Sequence, residues 1–206
     1  MVFLFVALGI IPIILIVMIF KKVKKSPPPT PQMDLSSLSI TDARLSDSIS
    51  VAGQGDDYDD LDFVVDRKNR YESGDEKWYE LSGKYKGRRV YVEYDEGDEL
   101  EVTVNLARTS LTLSDLGLNE DDLTRMDEEQ STSNGLEYNG ERWQYMLSQK
   151  IGYFQDDRGE GEGYYSWSFQ NQDGRRVLFI DKWEGKPFEG GLAEVVDPND
   201  VTVYRS

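Results

Sequence analysis

Cysteine and histidine are both absent from the 206 residues, and each absence removes a class of chemistry. Without cysteine there are no disulfides, no thiolate nucleophile and no Cys-ligated zinc or iron-sulfur site, which agrees with a reducing compartment. Without histidine there is no Ser-His-Asp or Cys-His constellation, no His-ligated metal and no histidine pH switch. Acid-base work is left to carboxylates, lysines and tyrosines, so the expectation is a non-enzymatic protein. Positive charge is also scarce, with 23 basic against 39 acidic residues. Four of the basic residues and none of the acidic ones fall in the first 33, so the remainder is strongly acidic and is repelled by phosphate backbones. No nucleic-acid partner is expected.

What is present first is a single long apolar run. Residues 1–20 contain no charged side chain, and only Gly9 and Pro12 interrupt them. At ~1.5 Å per residue a helix of this length reaches roughly 28 to 30 Å, about one hydrocarbon core, which predicts a transmembrane helix. A cleavable secretory signal would carry positive charge before the run and small residues after it, and the reverse holds here. Lys21, Lys22, Lys24 and Lys25 close the run. The positive-inside rule then places them against the anionic leaflet and everything after them in the cytoplasm, with the N-terminus outside the inner membrane. Residues 1–25 are thus expected to partner the lipid bilayer. Residues 21–42 read as a basic collar, a proline-rich spacer over 26–32 and a flexible serine-rich lead-in.

Residues 43–206 read as one acidic, mainly β domain. Ile49 and Val51 alternate with serines before Gly53 and Gly55, and Leu61, Phe63 and Val65 alternate with Asp62 and Val64. Trp78, Glu80 and Ser82 face opposite Tyr79, Leu81 and Gly83. Val90, Val92 and Tyr94 face opposite Tyr91 and Glu93, and Leu100, Val102 and Val104 resume the alternation. Strands in series with short glycine-containing turns predict an antiparallel meander. One short helical stretch follows. Ser114 can cap a turn that Gly117 ends, and Asn119 can cap a helix whose apolar face is Leu123 and Met126, lying against a sheet edge or end.

The second half repeats this pattern with Trp143, Tyr145 and Leu147, an aromatic strand over 164–169, a turn at Asp173-Gly174 and a strand to Trp183. Val195 to Val203 reads as a closing pair of short strands. Gly87-Arg88-Arg89-Val90 and Gly174-Arg175-Arg176-Val177 match. Either a hairpin unit is duplicated, giving two sheets that form a sandwich or an open barrel, or an ordinary hairpin exit recurs.

Gly53 to Gly55, Trp78-Tyr79-Glu80-Leu81, Val90-Tyr91-Val92-Glu93-Tyr94, Asn119 to Leu123 and Tyr138-Asn139-Gly140 together resemble an uncharacterised bacterial family, the domain of unknown function numbered 4178. The resemblance implies a β-rich cytoplasmic domain, sometimes membrane-tethered, in the company of PspA-like envelope-stress proteins. No catalytic or binding residue comes with it.

Three features could carry binding chemistry. Asp56, Asp57, Asp59, Asp60 and Asp62 form the densest carboxylate run and suit a hard cation, Ca²⁺ or Mg²⁺. Their spacing departs from the calcium-loop pattern, and a solvated loop is the plainer account. Residues 156–163 alternate acids with glycines, as a mobile hairpin tip or a loop closing over a ligand; paired with the first run, they could serve a hydrolase needing two carboxylates. Trp167 and Trp183, with Arg88, Arg89, Arg175 and Arg176 nearby, could form a partner surface, against the alternative of pairing within the sheet. The expected function is a membrane-anchored protein-interaction module on the cytoplasmic face, in envelope stress or membrane maintenance. The alternative is a divalent-metal or small-ligand sensor using the 56–62 loop. No other cofactor is expected.

Overall fold

The structure, a computed structural model, describes residues 38–97, 99–105 and 110–206. The apolar run, the lysine collar and the proline spacer lie outside the described residues. No helix among the described residues is long and apolar enough to cross a membrane.

Period-two alternation builds twelve strands among the described residues. They are β1 (Ser48–Val51), β2 (Leu61–Val64), β3 (Arg67–Ser73), β4 (Glu76–Tyr85), β5 (Arg88–Asp95), β6 (Glu101–Asn105), β7 (Gly135–Tyr138), β8 (Glu141–Phe154), β9 (Glu162–Asn171), β10 (Arg176–Trp183), β11 (Phe188–Val196) and β12 (Val201–Tyr204). All pairings between them are antiparallel. The larger sheet runs β3-β4-β5-β6-β11-β10-β9-β8, and β8 returns to β3 through Arg70↔Phe154, Tyr71↔Tyr153 and Glu72↔Gly152. Eight strands thereby close into a barrel, which leaves this sheet few open edges. The 14-residue length of β8 makes closure possible. Its first residues pair with β7 and its last with β3, and a bulge between Tyr145 and Leu147 separates the two stretches.

The barrel wall is apolar on the outside, and two different elements cover it. A second sheet, β12-β1-β2, packs over β4 to β6. Ile49, Val51, Leu61 and Phe63 from this cover meet Leu81, Val90, Val92, Tyr94, Val102 and Val104 from the wall. Contact is close enough at Gly83 that a Cβ there would come within 2.3 Å of the Val64 carbonyl oxygen. On the other side α1 (Glu120–Glu129) and the turns before it lie over β8 to β10. Leu123 and Met126, both 1 % exposed, pack in one cluster with Trp143, Tyr145, Trp167, Phe169, Leu178 and Ile180. Asn119 caps this helix and Asp122 completes a capping box. The helix therefore covers the face of the barrel, not a sheet edge or end. Asp127 accepts hydrogen bonds there from Ser148 and Tyr165, which pins it to β8 and β9.

Three sequence expectations change. The lead-in before residue 43 joins the fold from Leu38, which bridges to Val203, and Ile40 is 2 % exposed because it and Ala43 fill the core under the cover sheet. Ser114 caps no helix; the preceding turn is closed by Thr112 and Asp115 bonding to each other. β11 and β12 are not partners. A turn over Pro198–Asp200 carries the chain from the barrel to the cover sheet, where β12 pairs with β1.

The two matched G-R-R-V segments differ in register. Val90 points outward into the covered core, whereas Val177 lines the lumen. A one-residue shift of this kind exchanges the two faces of a strand, so the match is one of sequence and not of position in the barrel.

Candidate functional site

The inward faces of the strands do not form an apolar core. Small barrels ordinarily fill their interior with apolar side chains. Here the inward positions mix aromatic and polar side chains with three aliphatic ones, Leu147, Ile151 and Val177, and they enclose a cavity of about 200 Å³. Tyr71 comes from β3, Trp78 from β4, Tyr91 from β5, Tyr164 from β9, and Phe179 and Trp183 from β10. The carboxylates are Glu80 on β4, Glu93 on β5 and Asp181 on β10, with Asn105, Gln149, Ser166 and Ser168 completing the polar lining. Among the described residues, none of those lining the cavity is a lysine or arginine.

Tyr71, Trp78, Tyr164 and Trp183 gather at one end of the barrel, because antiparallel strands bring the end of β3 and β10 beside the start of β4 and β9. Tyr164 stacks on Trp183 with ring centroids 4.3 Å apart, and Tyr71 stacks on Trp78 at 5.6 Å. Tyr153 meets both groups, tilted on Tyr71 at 5.3 Å and edge-on to Trp183 at 5.8 Å. Phe179 lies against Gly191, where a Cβ would stand 2.2 Å from its ring. Only a glycine on β11 lets this ring lie along the wall.

The lumen carboxylates are held by specific donors. Glu80, 1 % exposed, accepts from Asn69 Nδ2 at 2.7 Å and from the Tyr71 hydroxyl at 3.1 Å. Glu93 lies directly opposite Glu80 in the β4–β5 register. Ser166 Oγ donates to Asp181 Oδ1 at 2.7 Å. The same Asn69 accepts from the Asp156 backbone N–H at 3.0 Å. One side chain thus joins the 155–157 turn to the carboxylate in the lumen. Arg70 pairs with Asp157 and Arg67 with Asp156 at 3.7 Å, so the start of the second acidic tract is docked on β3. The Arg70 guanidinium, though partly desolvated, is held above its ordinary value by Asp157 and Glu72.

Where β5 ends and β6 begins, Asp95 pairs in register with Glu101. Burial pushes the Asp95 carboxyl up, and burial together with the charges of Asp95 and Glu99 pushes Glu101 up. On the covered wall, Tyr94 has a buried hydroxyl with no hydrogen-bond partner, and burial drives it well above the ordinary phenol range.

The residues singled out in the sequence do not converge. Asp56 pairs with Arg88 and, at 3.6 Å, with Lys86, which also reaches Asp59 at 3.7 Å. Asp60 accepts from the Gly53 backbone N–H at 3.0 Å, while Asp57 and Asp62 are exposed. The run is tied to the β4–β5 turn by its basic residues. Among the described residues, no group of three or more acids is arranged to hold a metal ion. Arg89 bonds Asp66 and Ser82, and Arg176 pairs with Glu141 over the Trp143 ring. Arg175 lies exposed beside the Asp173 turn. Trp167 is under α1, where its Nε1 donates to the Leu123 carbonyl at 3.2 Å, and Trp183 is in the lumen. These six residues occupy several separate places and form no single surface.

Glu80, Glu93, Asp181 and Asn69 were missed as a group. A signal for the acids exists: each shares its strand parity with a large aromatic, as in Trp78 and Glu80, Tyr91 and Glu93, Asp181 and Trp183. The opposite parity carries Leu81, Val90, Val92, Leu178 and Ile180. Strands with two such faces are buried on both sides, and the polar face is then interior.

A closed antiparallel barrel with an apolar covered wall and a polar lumen places the chain among β-barrel domains with an internal cavity. The family model described as Domain of unknown function (DUF4178) matches residues 52–198, and the chain belongs to that family. Neither a curated protein nor a solved structure matches it.

Proposed function

We propose that this protein is a non-enzymatic binding module that takes a small ligand into its barrel lumen and, through its N-terminal apolar run, does so at the cytoplasmic face of a membrane. The observation that carries this reading is the inverted barrel, whose hydrogen-bonding and aromatic groups surround a cavity of about 200 Å³. An unfilled interior forfeits dispersion contacts, and a ligand restores them. Residues 1–20 supply the tether, and Lys21, Lys22, Lys24 and Lys25 the contact with anionic lipid. Full-length protein in mild detergent is expected to gain thermal stability from the dialysable fraction of a cell extract. Val177→Phe, which fills the lumen, is expected to lose that gain. No shift in either protein overturns the reading. A reporter active only in the cytoplasm and fused after Ser206 is expected to be active; silence overturns the orientation.

A second reading is favoured by the outer face of the cover sheet. Val64 and Tyr204, 54 % and 55 % exposed, both pair with Ser48, and Leu45 is exposed in the preceding turn. This apolar trio suits a protein partner, and the family resemblance implies a PspA-like one in envelope stress or membrane maintenance. Pull-down from detergent-solubilised membranes should recover such a partner and lose it with Val64→Ser and Tyr204→Ser combined; recovery by both proteins alike removes this face from the reading.

A further inference from the structure

A ligand held in the lumen has to pass the barrel wall or one of its ends, and the wall is not equally strong all round. We propose that the β3–β8 seam is a gate to the lumen, latched by the turn over Gln155–Asp157, an inference that rests on the lumen being the binding site. Among the described residues, β6 with β11 and β3 with β8 share only three register pairs each. The other neighbours in the ring share five or more. The β6–β11 pairing lies beneath the cover sheet, where Val102, Val104 and Val196 pack with Val201 and Val203. No residue of β3 or of 150–154 belongs to either covered cluster as described. Outside, the seam is closed by Arg70 lying over the Phe154 ring, its guanidinium 3.8 Å from the centroid, and by Glu72 pairing with Arg70. A stretch of wall with so few apolar contacts opens at lower free energy than the wall around it.

On the inner side Tyr71 and Tyr153 face each other in register with rings 5.3 Å apart, and Tyr153 meets Trp183 at 5.8 Å. Parting of the seam therefore leads into the aromatic end of the lumen. The turn that follows β8 belongs to one side of the seam, and its anchors belong to the other. Arg67 pairs with Asp156 at 3.7 Å, Arg70 pairs with Asp157, and Asn69 Oδ1 accepts from the Asp156 N–H at 3.0 Å, all three from β3. Asp156 and Asp157 have φ of +53° and +54°. Two successive residues in the left-handed region persist where surrounding contacts hold them there, so loss of the anchors favours release of the turn. Asn69 is 2 % exposed, and its Nδ2 donates to Glu80 on the lumen wall at 2.7 Å. A ligand that displaces Glu80 thereby acts on the latch through a single buried side chain. The two ion pairs are partly exposed and are weakened by salt.

The chain has no cysteine, so Ser166→Cys places a single thiol on the lumen wall. The test follows alkylation of that thiol by iodoacetamide in the full-length protein in mild detergent, with circular dichroism checking the fold of each variant. In this background Asn69→Ala, and Arg67→Ala combined with Arg70→Ala, are expected to speed alkylation about tenfold or more. Phe169→Ala, which weakens the wall beneath α1 and leaves the seam intact, is expected to speed it less despite a larger loss of stability. Added salt is expected to speed alkylation, and to do so less once both arginines are gone. Alkylation that follows global stability, with Phe169→Ala the fastest, overturns the gate. A rate indifferent to Asn69 and to both arginines also overturns it, because entry is then at an end of the barrel. Should Ser166→Cys fail to fold, hydrogen exchange of the wild type decides instead. Residues 67–73 and 150–157 are expected to exchange about tenfold or more faster than 88–95, with a gap that widens in salt; equal exchange overturns the gate. If the gate fails while the extract still stabilises the wild type but not Val177→Phe, the lumen reading stands. If alkylation behaves as expected but the extract stabilises neither protein, the gate stands and the lumen reading fails.

Discussion

The two faces of the barrel wall are built to opposite rules. The outer face is aliphatic and aromatic, sealed on one side by the sheet β12-β1-β2 and on the other by α1, with Leu81, Val92, Phe169, Leu178 and Ile180 all at 0 % exposure. The inner face carries Glu80, Glu93, Asp181 and a ring of tyrosines and tryptophans around open space. A protein gains most stability by burying apolar area at high packing density. The difference therefore teaches that the outer wall and its covers supply the stability of this fold, and that the lumen gives up packing for chemistry.

The comparison is tested most strongly with two phenylalanines. Phe169→Ala, which opens a cavity under α1, is expected to cost about 3–5 kcal/mol in denaturant unfolding. Phe179→Ala, which only enlarges the lumen, is expected to cost nearer 1 kcal/mol. Equal costs would mean that the lumen is a structural core after all. Asn69→Ala comes next. It removes a 2.7 Å donor to Glu80 and the acceptor for the Asp156 N–H, and an expected loss of about 1–3 kcal/mol would show that inner polar groups are stabilised by specific partners.

A smaller effect is expected where β5 ends and β6 begins, at the paired Asp95 and Glu101. Burial raises the Asp95 carboxyl, and burial and neighbouring acids raise Glu101. A raised folded-state pKa means that stability is fully present below the unfolded value and is lost as pH rises through the folded one. Asp95→Asn is accordingly expected to raise Tm slightly near neutral pH, with the advantage disappearing on acidification below the ordinary carboxylate range. A Tm difference independent of pH would remove electrostatics as its cause. The smallest change is Tyr94→Phe on the outer wall. Its hydroxyl is buried without a partner, so thermal unfolding is expected to show no loss or a slight gain. A clear loss would mean that the outer wall, too, depends on polar contacts.

Much of this architecture is legible before folding. The alternation around Trp78, Val90 and Val102 predicts the meander, the capping role of Asn119 follows from its place before Glu120-Asp121-Asp122, and Leu123 with Met126 marks the buried face of α1. Closure is not legible, because it depends on a three-residue pairing between β3 and β8 that are about 80 residues apart in sequence. The candidate site is less legible still. The dense acidic run at Asp56, Asp57, Asp59, Asp60 and Asp62 draws attention, yet Asp56 and Asp59 are met by Lys86 and Arg88. The isolated acids Glu80, Glu93 and Asp181 look like ordinary solvent-facing strand positions. Alternation separates two faces of a strand without saying which one is inside.

By itself, the sequence determined the absence of thiol and imidazole chemistry, the acidic character of the chain, the antiparallel β class and the capped helix. Each follows from composition or from contacts a few residues apart. Only the tertiary structure decided that the apolar faces turn outward beneath a cover sheet and a helix, and that the polar faces close around a cavity. That choice rests on long-range pairing, on the close approach at Gly83 and on the presence of something to cover the outside. An apolar face is buried by whichever partner seals it from water, and here that partner is not the interior of the barrel.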